Sequence, residues 1–148
     1  MKIFISGSIS IKVLDETHLG FLTQIIDSKQ TILIGDAYGV DKAVQIYLSE
    51  RNYQDVTVYF SGEKPRNNIG NWHTKQCLSS ENLTGKAFYQ IKDKAMAEDS
   101  DSGLMFWNGK SKGTKCNIDY MNQLNKHYTI VSREGLCNIK EPVPCFGI

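Results

Sequence analysis

The chain lacks most of the features that would assign it to a special class. Its four cysteines, Cys77, Cys116, Cys137 and Cys145, stand at irregular spacing without a C-x-x-C pair, and only three histidines accompany them. No zinc pattern forms, and no metal site is expected. The thiols read as free in a reducing compartment, with a Cys137–Cys145 disulfide near the C-terminus as the lesser alternative. No apolar run approaches the length of a membrane span, and Met1–Ser8 is too short for a signal-peptide core. A cytoplasmic protein is therefore expected. Neither sign of charge is in excess: 17 basic and 16 acidic residues give a net charge of +1. This argues against a nucleic-acid binder, which would show a basic stripe, and leaves room for a local basic pocket. There are no internal repeats and no low-complexity runs.

What the chain does have is the size of one domain, 148 residues, with 41% hydrophobic and 22% charged residues. Such a length buries a core without disulfides or metal. Short β-branched or aromatic runs alternate with stretches of helical periodicity. Ile3–Ile5, Thr31–Ile34, Val56–Phe60, Gly103–Trp107 and Tyr128–Val131 read as strands. Helices are expected over about Leu14 to Ser28, from Val40 to Leu48, from about Thr84 to Asp99, and after Gly113-Thr114. Asp15 or Thr17 would cap the first, and Gly20 inside it would mark close packing on the sheet. In the third, Lys92 and Asp93 fall on the more polar side. This alternation predicts an α/β domain of three layers, helices on both faces of a central parallel sheet of about five strands. Residues 133–148, with Pro142 and Pro144, form a C-terminal extension whose Val143, Cys145, Phe146 and Ile148 would pack on this domain or on a second subunit.

Three strand ends run into loops of small residues. The first is Ser6-Gly7-Ser8, the second Gly35-Asp36-Ala37-Tyr38-Gly39-Val40-Asp41. The third is Trp107-Asn108-Gly109-Lys110-Ser111-Lys112-Gly113-Thr114, where a helix begins. Loops so placed leave backbone N–H groups at the positive end of a helix dipole, a setting for a phosphate, with Lys110 and Lys112 adding charge. The plainer alternative is a set of ordinary strand-to-helix turns. Asp36 and Asp41 have two readings as well: capping of the following helix, or acceptance of hydrogen bonds from ribose hydroxyls. Between Ser61 and Thr84 the chain is irregular, which in a compact domain marks a functional or mobile segment. Arg66 suits a phosphate or carboxylate there, and Asn67 and Asn68 are further candidate contacts. Trp72 either stacks on a base or folds back onto the core.

Taken together, Gly35-Asp36-Ala37-x-Gly39-x-Asp41 and Trp107-x-Gly109-x-Ser111-x-Gly113-Thr114 make residues 1–131 resemble the SLOG superfamily of Rossmann-like nucleotide binders. That group includes the DprA DNA-processing proteins and the "lonely guy" phosphoribohydrolases, and the likeness is greatest to its small bacterial and phage members. The resemblance implies a Rossmann-like fold, a nucleotide-derived ligand and a homo-oligomer. The phosphoribohydrolases carry an R-K-x-x-M segment and then P-G-G-x-G-T-x-x-E. Here Met96 falls on the methionine, Asp101 on an acidic residue just before the strand, Lys92 on the arginine and Asn117 on the glutamate. An asparagine can hydrogen-bond a ribose but cannot supply the charge that steadies an oxocarbenium-like sugar. Asp119 points about 200° round the helix from Asn117, at roughly 100° per residue, and is a poor substitute.

The expected function is thus binding of a nucleotide or nucleotide-derived small molecule, its phosphate held by the loop 108–114, with no further cofactor. The alternative is an N-glycosidic hydrolase in which Asp36 or Asp41 replaces the missing glutamate. The ligand-contacting set is Ser6, Gly7, Ser8, Gly35, Asp36, Gly39, Arg66, Lys92, Trp107, Asn108, Gly109, Lys110, Ser111, Gly113, Thr114 and Asn117.

Overall fold

The computed structural model describes residues 1–78, 85–132 and 137–140. The chain runs β1 (Lys2–Gly7), α1 (Glu16–Asp27), β2 (Thr31–Gly35), α2 (Val40–Glu50), β3 (Val56–Phe60), β4 (His73–Gln76), α3 (Gly85–Asp99), β5 (Ser102–Trp107), α4 (Lys112–Gln123), β6 (His127–Ser132) and β7 (Cys137–Lys140). One sheet takes the order β4-β3-β2-β1-β5-β6-β7. Its first six strands are parallel, and β7 pairs antiparallel with β6. The α/β, Rossmann-like three-layer architecture is as the alternation predicts, and the five expected strands are all present. The sheet is wider than expected by two: β4 lies inside the segment read as irregular, and β7 inside the extension. Residues 141–148, with the apolar tail and Cys145 of the alternative disulfide, lie outside the described residues.

Period-two alternation sorts the strand side chains onto two cores. Ile3, Ile5, Ile32, Ile34, Leu104 and Phe106 meet Leu22 and Ile25 of α1 and Val40, Val44 and Leu48 of α2. Phe4, Leu33 and Met105 face the other way, onto Met96 and Ala97 of α3 and Ile118 and Met121 of α4. Trp72 belongs to the first core, its indole N–H bonded to the Tyr53 carbonyl at 2.7 Å. Of its two readings, the fold takes the packing one.

Helix ends follow local chemistry. Asp15 caps α1 by accepting from the His18 amide (3.0 Å), and the His18 ring returns the bond by accepting from the Asp15 amide (3.1 Å). Gly20 does not pack on the sheet as expected: it is exposed, with nothing within 4 Å of where a Cβ would sit. At the other end of the molecule, the Lys126 ammonium donates to the carbonyls of Ala97, Glu98 and Ser100 at 2.6–2.7 Å, closing the last turn of α3. A cation there satisfies acceptors that the helix leaves open and opposes the negative end of its dipole. Lys126→Met should lower the unfolding free energy by about 1.5–3 kcal/mol, the range of hydrogen bonds to a charged group. Urea denaturation checks this, and an unchanged midpoint would remove the cap from the account of α3.

Candidate functional site

β1 has β2 on one side and β5 on the other, so the connections diverge from it and leave a crevice at the carboxyl edge of the sheet. The apolar ladder facing α3 and α4 ends at Phe4 and Leu33, and the next positions on that face are Ser6 and Gly35. Those side chains are too small to reach the helices. The resulting cleft has a volume of about 690 Å³. β1 lines it with Phe4, Ser6 and Gly7, α3 with Tyr89, Lys92, Asp93 and Met96, and α4 with Lys112, Gly113, Thr114 and Asn117. The α3 residues recur at helical spacing and so share one face.

The floor of the cleft is a buried charge cluster. Lys92 is only 3% exposed, and its ammonium lies 2.8 Å from Asp93 Oδ1. Asp41, in the first turn of α2, accepts from the Ala37 amide at 3.2 Å. A Cβ on Gly35 would stand 2.5 Å from Asp41 Oδ2 and 2.7 Å from Lys92 Nζ, so glycine is what lets both groups approach the strand end. Burial pushes the Asp41 carboxyl up to about 7 although Lys92 and the Ala37 amide pull it down. Burial would lower the Lys92 ammonium, but Asp93 and Asp41 more than offset this and leave it raised. The lysine therefore stays a cation while Asp41 exchanges its proton near neutrality.

Beside the floor, Asn117 donates to Ser6 Oγ at 2.7 Å, while its Oδ1 is buried with no partner among the described residues. Ser6 can donate or accept, so the Asn117 amide can be turned to leave either end unpaired. The N-terminus of α4 borders the same space. Ser111 forms no side-chain cap, and the amides of Lys112, Gly113 and Thr114 find no acceptor among the described residues. These are the orphan donors of a helix start, opening on a cleft.

The loop before α4 is not one open cradle. Asn108 Oδ1 accepts from the amides of both Lys110 and Ser111 at 2.8 Å. The Asn108 amide donates to Ser8 Oγ at 3.1 Å, its side chain to Ser10 at 2.9 Å, and Trp107 Nε1 to the Ser111 carbonyl at 2.9 Å. Ser8, Trp107 and Asn108 thus brace the loop; with Gly109 and Lys110, they stand apart from the cleft lining. Gly109 makes the turn at φ 82°, and Lys110 is exposed. Gly39 also shapes the backbone, with φ 76° and the Ile9 backbone 2.3 Å from where its Cβ would be.

Asp36 is spent within the protein. Its carboxylate accepts from the Arg66 amide (2.8 Å) and the Arg66 guanidinium (2.9 Å), and Asn67 donates to its carbonyl (2.8 Å). Of the two aspartates, only Asp41 reaches the cleft lining. Arg66 lines the cleft too, with its guanidinium 4.2 Å from the centre of the Tyr89 ring. Asn68 turns back on Trp72, accepting from its amide at 2.9 Å. Asp101 binds the Lys2 amide at the opposite edge of the sheet, and Asp119 pairs with Lys115 on the outside of α4.

The cleft thus brings together Ser6, Gly7, Asp41, Arg66, Lys92, Ser111, Gly113, Thr114 and Asn117 of the expected residues. It adds Tyr89, Gln90, Asp93, Met96 and Cys116, which sequence reasoning missed. For Tyr89, Asp93 and Met96 the signal was their i, i+3, i+4 spacing with Lys92 on α3, which reads equally well as a solvated face. The polar side of α3 is polar as expected, but at Lys92 it is buried rather than solvated. Among the described residues, no helix is long and apolar enough to cross a membrane. No protein-family model, no curated protein and no solved structure matches this chain.

The titration of Asp41 has a defined sign. Its folded pKa of about 7 lies far above the ordinary value near 3.9. The stability that goes with the neutral form is complete only below the ordinary carboxylate value near 3.9 and is lost as pH rises from there through about 7. Asp41→Asn should raise Tm at pH 8 and raise it by clearly less at pH 5, read by thermal unfolding at both pH values. A parallel shift at the two would show that the carboxyl is not held neutral.

Proposed function

We propose that this protein binds a nucleotide or nucleotide-derived small molecule in the cleft at the carboxyl edge of its sheet, with the anionic group on the first turn of α4. One observation carries the reading: three uncapped helix amides and the half-satisfied, buried amide of Asn117 border one cleft of about 690 Å³. A phosphate supplies the acceptors that the amides lack, in the favourable field of the helix dipole. A pentose beyond it would meet Asn117, Ser6 and Asp41. The resemblance to SLOG proteins in the Gly35–Asp41 and Trp107–Thr114 segments points to the same class of ligand.

Asp41 supports a second reading, hydrolysis of an N-glycosidic bond. A carboxyl that titrates near 7 in a cleft is suited to protonate a leaving base. Asp36 drops out of this reading, because both of its oxygens are engaged by Arg66.

Two substitutions test the anion site. Gly113 has ordinary backbone angles and open space around it, so Gly113→Val should fold normally and fill the approach to the helix amides. We expect it to weaken adenosine monophosphate binding at least tenfold in calorimetry, and Thr114→Ala to weaken it less. Unchanged affinity in both would place the ligand elsewhere. Incubation with nucleoside monophosphates, followed by chromatography for free base, separates the two readings. Release that Asp41→Asn abolishes marks a hydrolase, and thermal stabilisation without release marks a binding module.

A further inference from the structure

The cleft lining also holds an arginine–tyrosine contact that the anion site leaves unexplained. Arg66 comes from the β3–β4 segment and Tyr89 from the first turns of α3. The guanidinium carbon lies 4.2 Å from the ring centre. Arg66 is fixed at two points, main-chain amide and guanidinium, by the two oxygens of the buried Asp36 carboxylate. Its segment is anchored further: Asn67 donates to the Asp36 and Ala37 carbonyls. The buried Gln45 donates to the Asn67 carbonyl at 3.1 Å and accepts from the Ile69 amide at 3.0 Å. Phe88 meets the Tyr89 ring edge-on, with centroids 5.1 Å apart. For all this support, Tyr89 remains 41% exposed. Both residues line the cleft, next to Ile9, Ala37 and Met96.

An anchored guanidinium over a half-exposed aromatic ring, in the lining of a cleft that also carries an anion site, has the form of a stacking platform. Exposed aromatic rings and guanidinium planes attract nucleobases through their faces, without needing a hydrogen-bond code. We propose that the stacked Arg66–Tyr89 pair receives the base of the ligand, which is therefore a nucleoside monophosphate lying across the cleft from Tyr89 to the N-terminus of α4. This rests on the nucleotide reading above. Arg66, paired with Asp36, is then part of the base wall rather than a phosphate contact, and Tyr89 holds the role that the sequence offered to Trp72.

The test compares adenosine monophosphate with ribose 5-phosphate, the same sugar phosphate without a base, by calorimetry on the full chain. The wild type should bind adenosine monophosphate at least tenfold more tightly. Tyr89→Ala should erase that preference, a loss of roughly tenfold or more for the nucleotide, while ribose 5-phosphate affinity stays within about twofold. Tyr89→Phe should keep the preference, because it keeps the ring. Gly113→Val should weaken both ligands. Equal wild-type affinity for the two, or a Tyr89→Ala variant that loses both or neither, overturns the platform while leaving the anion site standing. If the wild type binds neither, the nucleotide reading fails and the platform with it.

Discussion

The site depends on a lysine ammonium buried beneath the carboxyl edge of the sheet. Lys92 is 3% exposed, and a charge so placed persists only when opposing charge and hydrogen bonds surround it. Asp93 provides the contact and Asp41 the second carboxyl. Neither arrangement would fit if β2 ended in a residue with a Cβ, since that atom would fall within 3 Å of both the Lys92 nitrogen and an Asp41 oxygen. The glycine of β2, the start of α2 and the middle of α3 are therefore one structural unit. The cluster has two carboxyls for one ammonium, and burial resolves the excess by holding Asp41 at the edge of protonation. A proton that exchanges near neutrality is thereby stored next to the place a ligand would occupy.

Much of the fold was legible because each buried strand is a short β-branched or aromatic run and each helix carries a stripe. The edge strand β4 was not. His-Thr-Lys-Gln is polar throughout, and its formation rests on main-chain pairing with β3 rather than on any pattern of burial. The loop preceding it was read as irregular for want of periodicity, yet it is held by polar ties to distant residues. Gln45 reaches it from the buried face of α2, and Asp36 from the end of β2. Such ties join positions some twenty to thirty residues apart and leave no trace in local spacing.

The site was legible where its chemistry resides in strand-end loops and obscure where it resides on helix faces. Small residues after a strand are visible as such, and Ser6, Gly35, Asp41, Gly113 and Thr114 were found in that way. Asp93 and Tyr89 stand on a helix whose outer face would look the same if it met water. Asn108 misled in the opposite sense. It lies in the most phosphate-like stretch of the chain, but its side chain takes two of the loop amides for itself. A glycine-rich loop shows that the backbone can turn; only the hydrogen bonds show which amides remain free.

That distinction decides where an incoming anion would settle. Three cations line the cleft, and two of them already have partners: Lys92 has Asp93 at 2.8 Å and Arg66 has Asp36 at 2.9 Å. An anion approaching either must compete with a carboxylate already in place, and would itself be repelled by it. The amides of Lys112, Gly113 and Thr114 carry only partial charge, but no described residue competes for them. Unpaired donors fixed in direction outweigh full charges that are already neutralised, because binding there breaks no existing ion pair. On the proposed reading, the lysine and arginine would act at longer range, setting the field of the cleft and the shape of its walls, while the helix start would make the contact.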